Sequence, residues 1–168
     1  MLETILTKFA TILLSIGMDK AGNWIKKFYS KKHISPIEDL KKTTQILFID
    51  DEDFSTRLST IREAGWNVRQ VNDIANFDSE EIRNADIIFM DYIGVGKILT
   101  PTEEGIGLIK SLKKRYPNKF IIFYSGYAGF IPGHEVHSIV DAWIDKHADS
   151  FVYIDQIEAA SAKINEFK

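Results

Sequence analysis

Short apolar runs recur along the second two-thirds of the chain, and stretches with helical spacing separate them. Ile46-Leu47-Phe48-Ile49 runs into Asp50-Asp51. Ile87-Ile88-Phe89-Met90 runs into Asp91. Phe120-Ile121-Ile122-Phe123-Tyr124 runs into Ser125, and Ala142-Trp143-Ile144-Asp145 into Lys146. Runs this short and this rich in Ile and Phe read as buried strands of a parallel sheet. Asn67 to Val71 is a weaker fifth candidate. Between them, Phe54–Ala64, Ser79–Asn84, Gly105–Tyr116, residues 134–141 and Ser150–Phe167 read as helices. In the last of these Phe151, Ile154, Ile157 and Ile164 are expected to face inward. Strand and helix alternate five times, which predicts an α/β fold, a doubly wound five-stranded parallel sheet with helices on both faces.

A different pattern precedes the sheet. Leu2, Ile5, Leu6, Phe9, Ile12, Leu13 and Ile16 recur at steps of three and four, with Glu3, Thr4, Thr7, Lys8, Thr11 and Ser15 between them. This is an amphipathic helix ended by Gly17. A second helical piece carries Trp24, Ile25, Phe28 and Tyr29 among four lysines, and Ser35-Pro36 marks a break before the body. The expected domains are thus a basic helical extension over 1–44 and an α/β domain over 45–168.

Charge supports the same division. Residues 1–44 hold eight lysines and four acids, and the remainder holds 13 basic and 20 acidic residues. The net charge of −3 disfavours broad nucleic-acid binding, and no direct DNA contact is expected. With no cysteine, thiolate chemistry and disulfides are excluded, which fits a cytoplasmic location. The apolar stretch Phe9–Met18 is shorter than the roughly 20 residues a bilayer span requires. Its stripe suits a homodimer or effector contact, with a membrane-surface contact as the lesser alternative.

In a parallel sheet the carboxyl ends of the strands share one edge, and ligands bind there. That edge would gather Asp50, Asp51, Asp91, Ser125 and Lys146. Hard carboxylate oxygens suit Mg²⁺, with the Ile93 backbone carbonyl as a further ligand. Such an ion offsets the repulsion between a carboxylate nucleophile and an anionic phosphoryl donor. Lys146 and Ser125 would hold phosphoryl oxygens.

Taken in order, these residues resemble the receiver domain of two-component response regulators over about 120 residues, from roughly Gln45 to Lys168. The resemblance implies a flavodoxin-like receiver fold. It makes Asp91 the phosphoacceptor, Asp50 and Asp51 the metal-binding acids, Ser125 and Trp143 the switch residues, and Lys146 the phosphate-contacting lysine. Gly126 and Tyr127 would flank the site, and the bulk of Ile93 and Tyr127 along the route of attacking water implies a long-lived acyl phosphate. The function implied is a phosphoacceptor signalling module rather than an enzyme. Its partners would be a histidine kinase or phosphotransfer protein. Pro101-Thr102-Glu103-Glu104-Gly105 also matches the family's Pro-x-x-x-Gly.

Three features depart from the family pattern. The segment from Asp91 to Gly105 is about six residues longer than usual. Its extra residues, Ile93–Thr100, are expected to overhang the site as a lid or partner surface. His147 follows Lys146 where receivers carry a cis proline. The extension precedes the domain, and no helix-turn-helix or catalytic output domain fits within it. Two alternatives belong to other classes. Asp51-Glu52-Asp53-Phe54-Ser55 matches the Asp-x-Asp-x-Thr/Ser of haloacid-dehalogenase-type phosphohydrolases, with Asp51 as nucleophile. A receiver fold used only for binding, without phosphorylation, is the other.

Overall fold

The computed structural model describes residues 36–126 and 134–166. The leader helices and Tyr127 lie outside the described residues. Five strands form the sheet: β1 Gln45–Ile49, β2 Asn67–Val71, β3 Ile87–Asp91, β4 Phe120–Ser125 and β5 Ala142–Asp145. All pairs are parallel, in the order β2-β1-β3-β4-β5. The order reverses between β1 and β3, where ligands bind in open α/β sheets. Among the described residues six helices accompany the strands: α1 Pro36–Thr43, α2 Ser55–Glu63, α3 Glu80–Asn84, α4 Glu104–Arg115, α5 His134–His137 and α6 Ser150–Glu166. The sheet and the helices that follow it lie in the compact unit Leu40–Lys168.

β3 is central and every residue in it is buried. That is why it reads as an unbroken apolar run instead of alternating. β5 is an edge strand in which only Ile144 is buried, so the expectation of a fully buried run fails there. Edge strands expose part of their side chains to water, which leaves Trp143 exposed. One layer of the core joins Leu47, Ile49, Ile88, Met90, Ile121 and Phe123 to Leu108, Ile109 and Leu112 of α4. The other layer is aromatic. Phe48 stacks on Phe89 at 4.3 Å between ring centres, and Phe54, Tyr124 and Tyr153 close around them.

Two helices differ from expectation. Pro36 begins α1, where Ser35-Pro36 suggested only a break. Proline fits the first turn because its missing N–H would be unpaired there anyway. Glu38 and Asp39 in the first turn and Lys41 and Lys42 in the last complement the helix dipole. In α6 Phe151 points outward at 62% exposure, while Tyr153, Ile157 and Ala160 are buried. Of the four residues expected inward, Ile157 is buried, Ile154 and Ile164 are half-buried, and only Phe151 lies off the packed face. Phe151→Ser is therefore expected to change unfolding free energy by no more than about 0.5 kcal/mol, as at other exposed sites. Ile157→Ala should cost about 2–5 kcal/mol. Urea unfolding of the two variants checks the assignment of the face.

Candidate phosphoacceptor site

Each site residue stands at or just beyond the carboxyl end of a strand. Ile49 lies beside Met90 in the β1–β3 register, so Asp50 and Asp91 follow at one level. Asp91 lies beside Tyr124, and Ser125 beside Asp145, the residue before Lys146. The turn after β1 is held by Gln70, whose amide donates to the carbonyls of Asp50 at 2.9 Å and Glu52 at 2.6 Å. The Asp50 carboxylate accepts the Glu52 N–H at 2.9 Å.

Asp50, Asp91 and Lys146 are all buried. The Lys146 ammonium lies 2.6 Å from Asp91 Oδ2, 3.0 Å from Asp50 Oδ2 and 3.0 Å from Glu52 Oε2. Burial by itself would lower the pKa of this lysine. Its hydrogen bonds to Asp91, Glu52 and Asp50 outweigh burial and hold it above 10.5. Burial raises the pKa of Asp91 above the ordinary carboxylate value. Lys146 and the Tyr92 N–H oppose this shift without cancelling it, and the charge of Asp50 adds to it. The carboxylates outnumber the ammonium that serves them, so further positive charge is favoured at this point.

Asp50, Asp51 and Asp91 present ligand oxygens within 4.8 Å of one another, and Asp51 is the exposed member. Three hard oxygen donors so placed fit a divalent cation such as Mg²⁺. Asp51 and Asp91 line one cavity of about 440 Å³ together with Glu52, Ile93, Gly94, Lys97, Ser125, Gly126, Lys146 and His147. Asp50 is too deep to line it. A larger cleft of about 780 Å³ lies at the other ends of the strands, beside Asp86, Pro117, Lys119 and Phe120. Size alone would select that cleft, but the matched acids and lysine sit in the smaller cavity.

The sequence reading missed several members of the site. The apolar run marks Tyr124 only as a strand residue, yet its buried hydroxyl donates to Asp50 Oδ2 at 2.7 Å. Tyr153 of α6 donates to the Lys146 carbonyl at 2.9 Å, and Arg57 of α2 donates to the Ala148 carbonyl. No motif spacing signals these contacts: two of them join residues 74 and 91 positions apart, and the third, seven apart, depends on how α6 docks. Gly105, the glycine of the Pro-x-x-x-Gly match, has a packing reason. A Cβ there would stand 2.1 Å from the Asp91 carbonyl, so glycine lets α4 start against the end of β3.

The long segment after β3 is not a free lid. Val95 is fully buried in the core. Asp73 accepts the N–H groups of Gly96 at 2.7 Å and Lys97 at 3.0 Å. Glu104, whose φ is +47°, accepts the Gly94 N–H at 3.0 Å. Ile93 is 52% exposed and lines the cavity rim. Trp143 lies on β5 outside the cavity lining, 6.5 Å from the His137 ring. His147 donates its N–H to Asp145 Oδ1 at 2.8 Å, a bond proline could not make. Among the described residues there is no cis peptide bond.

Comparison with protein-family models and with curated proteins gives no match. Solved structures do match. A response regulator receiver domain protein (CheY-like) from Methanospirillum hungatei aligns with TM-score 0.57 and 18% identity, over 74% of this chain and 98% of that one. NtrX from Brucella abortus aligns with TM-score 0.59 and 21% identity, over 73% of this chain but 28% of that longer one. A Burkholderia pseudomallei response regulator, solved with a phosphorylated aspartic acid, a calcium ion and citrate, aligns with TM-score 0.52 and 19% identity, over 73% and 71%. The fold is that of response regulator receiver domains. Among the described residues no helix is long and apolar enough to cross a membrane.

Proposed function

We propose that the chain is a phosphoacceptor signalling module of a two-component phosphorelay, with Asp91 as the acceptor. The observation that carries this reading is the buried lysine, Lys146, held between Asp91 and Asp50 at a cavity also lined by Asp51 and Ser125. An Asp91 carboxylate oxygen would attack phosphorus, forming an acyl phosphate as the bond from phosphorus to the donor's leaving group breaks. Lys146 would hold one transferred oxygen as a charge-assisted partner. Ser125 would donate to another. Asp50, Asp51, Asp91 and the Ile93 carbonyl would hold Mg²⁺, which neutralises charge between carboxylate and phosphoryl group. Positioning and charge account for most of what phosphoryl transfer needs.

The donor would be a histidine kinase or phosphotransfer protein, and the change at Ser125 and Trp143 would alter partner contacts. The division into a basic extension over 1–44 and a receiver-like domain over 45–168 belongs to the same proposal, with the extension as an association surface. Support also comes from the Burkholderia neighbour, which was solved with a phosphorylated aspartic acid, a calcium ion and citrate.

The test is the intact mass of the full chain after incubation with Mg²⁺ and acetyl phosphate. The expected result is a gain of one phosphoryl group, lost in Asp91→Asn and on chelation of Mg²⁺. Mg²⁺ alone should raise the melting temperature, since it binds acids assembled only in the folded state. A phosphoryl gain that persists in Asp91→Asn would overturn the assignment.

A further inference from the structure

The anchored loop after β3 delivers a second ammonium to the acid site. Lys97 Nζ lies 3.1 Å from Asp51 Oδ2, and Asp51 is one of the three acids whose oxygens converge. The loop backbone leaves little choice about where this lysine starts. Val95 is buried on one side of it, and Asp73 binds the Lys97 N–H and that of its neighbour Gly96. Gly94 sits at φ +92°, and a Cβ there would fall 2.0 Å from the Asp51 carboxylate. The chain therefore passes directly over Asp51, with Lys97 three residues further on. Only the lysine stem is loose, for the Lys97 side chain is 61% exposed and that of Asp51 37%.

We infer that Lys97 is a tethered competitor for the divalent-cation site, pairing with Asp51 in the metal-free protein and lowering the affinity for the ion. This rests on the acid cluster being that ion's site, as proposed above. An ammonium and a divalent ion held by one carboxylate repel each other, so each weakens the other's hold on Asp51. A flexible four-carbon stem lets the ammonium swing into water at low cost. The pair is exposed, so its strength is that of a surface ion pair and the effect is bounded accordingly. The second lysine, Lys146, is not displaced in the same way. It is buried and engages Asp50, Asp91 and Glu52.

Titration calorimetry of the full chain with MgCl₂ at low ionic strength tests this, with the Mg²⁺-dependent rise in melting temperature as a second readout. Lys97→Gln is expected to bind Mg²⁺ about twofold to fivefold more tightly than the native chain. Lys97→Arg keeps the charge and should stay close to native. Lys114→Gln removes an exposed lysine from α4 and should leave the affinity unchanged. Native-like or weaker Mg²⁺ binding by Lys97→Gln would overturn the inference, as would an equal gain in Lys114→Gln. Absence of any Mg²⁺ response in every protein would instead overturn the metal-site reading, and this inference with it. A normal native response with no gain in Lys97→Gln removes the role of Lys97 alone.

Discussion

Lys146→Met should lower the unfolding free energy by about 3–5 kcal/mol, the usual cost of removing one partner from a buried ion pair. Methionine preserves much of the stem's volume, so the loss is electrostatic. Asp50 and Asp91 would remain buried without the ammonium that bridges them. The same side chain also packs above the rings of Phe54 and Tyr124, at 5.7 and 5.8 Å from their centres. Urea unfolding with and without Mg²⁺ measures the effect, and Mg²⁺ should recover part of the loss.

The pH dependence follows from the same lysine. Its folded pKa is raised above the ordinary 10.5, because its bonds to three carboxylates outweigh burial. A raised lysine contributes stability that is complete below its unfolded value and is lost as pH climbs through the folded one. The native chain should therefore lose stability above about pH 10.5, and Lys146→Met should lose less, keeping only the share due to the buried hydroxyls of Tyr124 and Tyr153, whose pKa values burial also raises. If the variant were as stable as the native chain at neutral pH without Mg²⁺, the bridging role would be wrong.

Phe89→Ala should cost a similar amount, about 3–5 kcal/mol, from lost transfer energy and the cavity left behind. Phe89 is fully buried in the central strand and lies flat on Phe48, with 4° between the ring planes. Its ring also meets the edge of Tyr124 at 6.1 Å and stacks with Tyr153 at 5.7 Å. Those two tyrosines hold Asp50 and the Lys146 carbonyl through their hydroxyls. Loss of the ring should therefore disturb the acid site as well as the core. The expected pattern is a lower urea midpoint together with weaker Mg²⁺ binding. A destabilised variant with native Mg²⁺ affinity would show that the aromatic layer supports the fold without setting the site. Leu112→Ala, on the opposite face of the sheet, serves as the comparison, with stability lost and affinity kept.

What the sequence determined by itself is the order of elements and the place of the chemistry. Four short apolar runs and the weaker Asn67–Val71, each followed by a helix, leave a parallel sheet as the way to bury both faces. A parallel sheet puts every strand's carboxyl end on one edge. Asp50, Asp91, Ser125 and Lys146 were therefore legible as neighbours before any contact was known. Tertiary structure decided what those residues touch. Tyr124 and Asp50 are 74 positions apart, and Lys146 and Asp50 96 apart. Hydrogen bonds across such distances depend on strand register and ring packing, which local periodicity does not encode. It also decided that Ile93–Thr100 is anchored. Val95 finds a place in the core, and Asp73 arrives from the loop after β2 to bind the backbone. The helix face of α6 was settled the same way. Phe151 and Tyr153 are both aromatic, and only the docking angle of α6 on the sheet determines which of them is buried.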